Sequence, residues 1–394
     1  MNRIYFDHAA TTPLDKRVLE KMTPYFCEMA GNANSQHYFG REAMKAVDEA
    51  RDKIATLIGA KPSEIYFTSG GTEADNWALR GAAAAYGKKG KHFIISKIEH
   101  AAMLSTAADL EKQGFEFTYL DVDERGMIST KQLEKSIRPD TVFIGIMFAN
   151  NEVGTIQPIQ KAAEIAKKHG IPFFTDAVQA MGTLEINVKE LGIDMMSFSA
   201  HKFYGPKGIG ALYVRNGLTL GRLITGGHQE RTKRGGTTNV PGVVGFAAAL
   251  EIACAEMEEN RKYVTRLRDK FISRVEKEIP YVKLNGHRTK RLPANADFSF
   301  EYIEGESILF SLDLAGIAVS SGSACSSGSL EPSHVLLAMG VDEALAHGSI
   351  RFTFGKHNTM DEVNYTVDKL KETVARLRKM SPLFAELKGE IKNV

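Results

Sequence analysis

Residues 195–214 read MMSFSAHKFYGPKGIGALYV. An apolar run, Met195–Ser199, passes directly into Ala200-His201-Lys202, then into the glycine-rich turn Gly205–Gly210, and then into a second apolar run, Ala211–Val214. Runs this short, closed by turn residues, read as strands rather than helices. Apolar residues at successive positions, without alternation, suit strands covered on both faces. The same texture recurs upstream at Ile65–Thr68, Phe93–Ser96, Phe117–Leu120, Val142–Phe148 and Ile171–Thr175. Helical patterns lie between the runs, among them Thr72–Tyr86, Ala101–Gln113 and Ile159–His169. Strands alternating with helices predict an α/β layer built on a mostly parallel seven-stranded sheet. Several runs end in polar clusters: Ser69-Gly70-Gly71-Thr72, Glu99-His100, Asn150-Asn151, Asp176 and Ser199-Ala200-His201-Lys202. Open α/β sheets bind ligands beyond the carboxyl ends of their strands, so these clusters are expected to share one pocket.

Beyond Val243 the texture changes. Val243–Ile279 reads as a long helical stretch, strand-like runs return at Asp297–Phe300 and Ile350–Phe354, and an amphipathic helix covers Met360–Arg378. This predicts a smaller α+β domain. The expected division is 14–257 for the large domain, and 1–13 with 258–394 for the small one. Hydrophobic residues at 43% and charged residues at 25% suit a globular chain with a large core, and a net charge of +2 gives no reason to expect nucleic acid or a membrane surface as partner. The 3 cysteines, Cys27, Cys254 and Cys325, form no Cys-x-x-Cys pair, which argues against a disulfide framework or a zinc site. No apolar run reaches signal-peptide or bilayer length, so a cytoplasmic protein is expected.

The clusters carry chemistry. A lysine desolvated in a pocket, as Lys202 would be, becomes a nucleophile toward an aldehyde; taken alone, the reading as a solvated surface lysine wins. Asp176 can pair with a protonated pyridine nitrogen and keep the ring an electron sink, or simply cap the next helix. Gln179 lies one helical turn on. Ser69–Glu73 joins a strand to a helix, and a glycine-containing helix start offers free N–H groups to a phosphate. It lacks both Gly-x-Gly-x-x-Gly and the Walker lysine. His100 can stack on a flat ring or move protons. Arg351 interrupts an apolar run, and a guanidinium matches a carboxylate with paired hydrogen bonds. Cys325 sits among Ser320–Ser329, small polar residues that suit a mobile loop rather than a buried structural thiol. A lysine, a ring-nitrogen carboxylate, a phosphate loop and a histidine, each at a strand end, together specify pyridoxal phosphate.

With these motifs in order, and with Tyr5–Pro13, Thr68–Glu73, Asn150–Gly154, Thr175–Gln179, Ser199–Gly208 and Ser321–His334 matched in place, the sequence resembles the cysteine desulfurases of the NifS/IscS type. These are fold-type-I pyridoxal-phosphate enzymes of the class V aminotransferase family. The chain departs from the usual pattern at Asn32–His37 and Ala74, away from the catalytic groups. The resemblance implies that Lys202 forms the Schiff base, Asp176 pairs with the ring nitrogen, Gln179 bonds the ring hydroxyl and His100 stacks on the ring as an acid/base. It implies that Gly71, Thr72, Ser199 and His201 hold the phosphate. Asn151 contacts the cofactor and, with Arg351, the substrate carboxylate. Thr237 reaches the cofactor of the other subunit of a homodimer.

The implied reaction takes sulfur from L-cysteine onto Cys325 as a persulfide and releases alanine. The sulfur then passes to an iron–sulfur scaffold or another acceptor, and in the family the cysteine equivalent to Cys325 also serves as a cluster ligand shared with that scaffold. Three other readings compete. An aminotransferase on this fold would give Cys325 no role. A selenocysteine lyase differs in substrate. A non-catalytic sulfur-delivery scaffold has no use for the intact set of Lys202, Asp176, His100 and Cys325.

Overall fold

The computed structural model describes residues 3–321, 331–387 and 389. Its strands are β1 (Ile4–Tyr5), β2 (Ile65–Thr68), β3 (His92–Ser96), β4 (Glu116–Leu120), β5 (Thr141–Gly145), β6 (Phe173–Asp176), β7 (Met195–Ser199), β8 (Gly210–Val214), β9 (Val282–Asn285), β10 (Asn295–Phe300), β11 (Ile317–Ala318) and β12 (Ser349–Thr353). Seven of them form one sheet in the order β2-β8-β7-β6-β5-β3-β4. Only β8 runs against its neighbours, β2 and β7. The rest are parallel, as the alternation of strands and helices predicted.

The unbroken apolar runs have a direct cause. Successive side chains of a strand point to opposite faces, and here both faces are covered. Phe93, Phe143, Phe174 and Met195 pack into one cluster with Trp77 and Leu79 of the helix Gly71–Tyr86. Ile94, Ile144, Phe173, Met196 and Phe198 pack into another with Val47 and Ile54 of the helix Tyr38–Leu57. β4 is the exception: an edge strand, with Glu116 exposed.

A separate antiparallel sheet, β12-β10-β9, supports a third cluster in which Phe298 and Phe352 meet Phe271 and Leu267 of the helix Met257–Glu278 and Val367 of the helix Met360–Met380. The amino-terminal segment joins it: β1 pairs with β11, and Ile4 and Phe6 enter this core.

Two sequence readings are corrected. The strand expected over Val142–Phe148 ends at Gly145; the next residues continue in a looser path, with Ile146 N–H donating to Phe174 O at 3.0 Å and Phe148 N–H to Asp176 O at 2.7 Å. The long helix expected over Val243–Ile279 is two helices, Val240–Ala255 and Met257–Glu278, bent by 71°. The first packs against Tyr38–Leu57 of the large core, while the second turns its apolar stripe to the three-stranded sheet. At the bend, the carboxylate of Glu256 meets Arg17 at 2.6 Å and Lys356 at 3.1 Å. Only this bent pair together passes for membrane length and apolarity; no single helix among the described residues does.

Candidate active site

The polar clusters converge where the sheet's parallel strands end. Gly71, Thr72, His100, Asn151, Asp176, Gln179, Ser199, His201 and Lys202 line one cavity of about 230 Å³, together with Ala9, Asp75, Met147 and Val178.

Lys202 closes a single helical turn, Ala200–Lys202, set directly on the end of β7. The next residue but one, Tyr204, adopts φ 64°, a conformation costly for a side-chain-bearing residue. Tyr204 is held there because its N–H donates to Thr12 Oγ1 at 2.7 Å and its hydroxyl accepts from Lys356 N–H at 2.9 Å. The Lys202 ammonium donates to the carbonyls of Ala9 at 2.5 Å and Ala10 at 2.9 Å, and Gln179 Nε2 donates to the same Ala9 carbonyl at 3.0 Å.

Asp176, buried at the end of β6, accepts from Val178 N–H at 2.8 Å. Burial raises its pKa, opposed by His100, by that N–H and by Lys202. Such a carboxyl favours its charged form only where a cation faces it. The imidazole of His100 caps the helix Ala101–Glu111, accepting from Ala102 N–H at Nδ1 (3.1 Å), which leaves Nε2 to carry the proton. Burial lowers its pKa.

Beside these groups the helix Gly71–Tyr86 points its N-terminus at Ser199, His201 and Lys207. A Cβ on Gly71 would stand 2.7 Å from Val178 Cγ2, so glycine is what permits the close approach. Burial, with Lys202 and Lys207 nearby, lowers the His201 pKa to about 4, and its Nδ1 lies 3.1 Å from Thr11 Oγ1.

Arg351 and Thr237 do not line this cavity. Arg351 is 2% exposed in β12, donating to the Asn151 carbonyl at 2.9 Å and pairing with Asp7 at 3.0 Å, so it touches the cavity's Asn151 from behind. Thr237 lines a different pocket, with Gln229, Glu230 and Arg234. Arg234 nonetheless ties that segment to the glycine loop through Glu73 at 2.8 Å. Cys325 lies outside the described residues. Cys27 is exposed and Cys254 half-buried. Among the described residues no group of three or more His, Cys, Asp or Glu side chains could hold a metal.

Sequence reasoning missed the Ala9 and Ala10 carbonyls, Lys207, and two buried acids, Asp75 in the cavity wall and Glu99 next to His100 in the chain. Asp75 is 1% exposed and takes the Ser197 hydroxyl at 2.5 Å. Glu99 is fully buried, accepts from Ser96 Oγ at 2.6 Å and Met147 N–H at 2.8 Å, and is pushed up to about 8 by burial. Asp75 stands one helical turn after Thr72, and Ser197 is the one polar residue inside an apolar strand; these spacings were the available signals.

An amine, a buried carboxyl, an imidazole and a helix N-terminus around one cavity suit a flat, anionic heteroaromatic ligand with an electrophilic carbon. The fold and this set define the fold-type-I architecture.

The comparisons agree with that class. A family model described as aminotransferase class-V matches residues 4–366. Cysteine desulfurase IscS of Dictyoglomus turgidum is 56% identical over 385 residues, covering 98% of each chain. A solved NifS-like protein superposes with TM-score 0.90 at 42% identity, covering 95% of this chain and 100% of that one. A structure of SspA in complex with cysteine superposes with TM-score 0.80 at 38% identity, covering 90% and 100%. The chain belongs to the class-V aminotransferase family, in its NifS/IscS branch.

Proposed function

We propose that this chain is a pyridoxal-phosphate-dependent cysteine desulfurase: it converts L-cysteine to L-alanine, holds the sulfur as a persulfide on Cys325 and passes it to an acceptor, an iron–sulfur scaffold among them. The observation that carries the reading is the single cavity shared by Lys202, Asp176, His100 and the helix N-terminus at Gly71. The relative named cysteine desulfurase and the neighbour solved with cysteine support the choice of substrate.

The donor set fits the cofactor. Pyridoxal phosphate, when bound, supplies an electron sink that acidifies the α-carbon of an attached amino acid. Lys202 would hold it covalently through its amine, and the same amine, when free, would be the base for the α-proton. Asp176 would accept the proton of the ring nitrogen, and His100, whose Nε2 is left to carry its proton, would lie against the ring as a donor. Gly71, Thr72, Ser199 and His201 hold the phosphate, and Gln179 orients the ring hydroxyl. Asn151 would orient the substrate carboxylate, and Arg351, bonded here to Asp7 and to the Asn151 carbonyl, would join it on leaving Asp7. The Cys325 thiolate would attack the substrate sulfur, forming the S–S bond of the persulfide as the sulfur–carbon bond breaks and its electron pair goes to the carbon fragment, which takes up a proton and leaves as alanine.

In the same reading Thr237 serves the partner subunit's site in a homodimer, and the protein works in the cytoplasm. The chain divides at 257/258, with 1–13 joining the smaller domain; the separate hydrophobic clusters on either side of the Glu256 bend support this. Mass spectrometry after exposure to L-cysteine tests the function. One added sulfur on the Cys325 peptide, with alanine released, is expected, and Cys325→Ser should keep the cofactor's colour but lose sulfide release. Undiminished desulfuration by that variant would refute the assignment of the nucleophile.

A further inference from the structure

A buried guanidinium needs a carboxylate beside it, since a charge stranded away from water is strongly destabilising. Arg351 is 2% exposed on β12, and the carboxylate it holds is that of Asp7. The contact is single. Arg351 Nη2 donates to Asp7 Oδ1 at 3.0 Å, Nη1 donates to the Asn151 carbonyl at 2.9 Å, and the buried Nε has no partner among the described residues. A guanidinium can give one carboxylate two parallel hydrogen bonds, so Asp7 takes less than Arg351 can supply.

Asp7 can also let go without a change of fold. The Tyr5 hydroxyl donates to its carbonyl at 3.0 Å, and Ala9 N–H, two residues on, donates to Thr353 Oγ1 at 2.9 Å, so the backbone on either side is fixed. The Asp7 side chain is 19% exposed, against 2% for Arg351. Displaced, its carboxylate can be hydrated where it stands; the guanidinium cannot. The same segment borders the cavity, where the Ala9 and Ala10 carbonyls take the Lys202 ammonium.

We propose that Asp7 is the resident competitor of the substrate carboxylate. It neutralises Arg351 in the unliganded protein, is exchanged for the carboxylate of an entering amino acid, and takes Arg351 back as the product amino acid leaves. The buried charge stays paired throughout. This rests on the reading of Arg351 as a ligand of the substrate carboxylate.

The test compares L-alanine, the product, with ethylamine, which is alanine without its carboxylate. In calorimetric titrations of the holoenzyme, Asp7→Asn should bind L-alanine roughly 10-fold more tightly than wild type, about the scale of one charge-assisted hydrogen bond. Its affinity for ethylamine should not change. A residue with a merely structural role would weaken binding of both. Weaker or unchanged binding of L-alanine by Asp7→Asn overturns the proposal, as does equal tightening of the two ligands. The cofactor-free variant should also unfold at a lower urea concentration than wild type, because an ion pair is lost; an unchanged midpoint would show that Asp7 does not hold Arg351 in solution and overturns it as well. Should Asp7→Asn fail to fold, a crystal structure of the wild-type holoenzyme with L-alanine decides: Arg351 must have left Asp7 for the ligand carboxylate, and a guanidinium still on Asp7 overturns the exchange. Arg351→Lys separates this proposal from the reading beneath it. L-alanine bound by that variant as tightly as by wild type would place the carboxylate elsewhere and sink both, whereas weakened binding there, without tightening in Asp7→Asn, sinks the exchange alone.

Discussion

Replacing Glu99 by glutamine should stabilise the cofactor-free protein, and more so as the pH rises. Glu99 is fully buried, and burial raises its pKa from 4.5 to about 8, against the opposing hydrogen bonds from Ser96 and Met147. A carboxyl with a raised folded pKa keeps its proton in the native state after the unfolded chain has lost it. Its contribution to stability therefore falls steadily between pH 4.5 and about 8 and is flat outside that window. At about 1.4 kcal/mol per unit, the wild type loses roughly 3 kcal/mol between pH 5 and pH 8 that a permanently neutral residue would keep. Glutamine retains the oxygen that accepts from Ser96 and Met147. Its amide replaces Oε2, which has no partner, so any packing or polar cost is a constant offset without pH dependence. Urea unfolding of wild type and Glu99→Gln at pH 5, 6.5 and 8 gives the difference directly, since other titrating groups largely cancel. A stability gap that stays constant across this range would mean that Glu99 ionises near its ordinary value, and the burial argument would fail.

Lys202→Ala should purify without the visible absorption of a covalently held cofactor and should show no turnover; retained absorption would remove Lys202 from that role. Arg351→Lys should raise KM for L-cysteine roughly 10- to 100-fold, with a smaller effect on kcat, because a paired guanidinium–carboxylate contact contributes about 1.5–3 kcal/mol; an unchanged KM would place the substrate carboxylate elsewhere. Glu230→Ala should cost about 3–5 kcal/mol in urea unfolding by stranding a buried guanidinium. Arg51 and Glu230 pair at 2.8 Å with side chains only 11% and 6% exposed, and Glu230 also accepts from Phe67 N–H on the edge strand β2. A loss below about 1 kcal/mol would show that the pair is solvated, as surface pairs are.

The seven-stranded sheet was legible because full coverage of both faces leaves its mark at every strand position, as in Phe93-Ile94-Ile95, where neighbours enter different cores. The cavity was legible where a side chain ends a strand or closely follows one: Asp176 ends β6, Lys202 closes the turn after β7, and His100 caps the helix that follows β3. The bend at Glu256 was not, since no glycine or proline marks it, and the ion pairs at the bend come from Arg17 and Lys356, far away in sequence. The amino-terminal contribution was hidden for another reason: Ala9 and Ala10 act through their carbonyls, and no side-chain pattern marks a backbone acceptor.

Asp75 and Ser197 expose a deeper limit. Read in sequence, Asp75 is one of two acids near a helix start, where a charge is favourable and unremarked. Only the packing of that helix on β7 takes the side chain out of water and sets it against the Ser197 hydroxyl, at 2.5 Å. The charge on a carboxyl is decided by desolvation and by the number of protons its neighbours can supply, and both depend on what three strands and a helix bring together. A motif can therefore name the group that faces the ligand, while the protonation state that makes the group useful belongs to residues the motif does not contain.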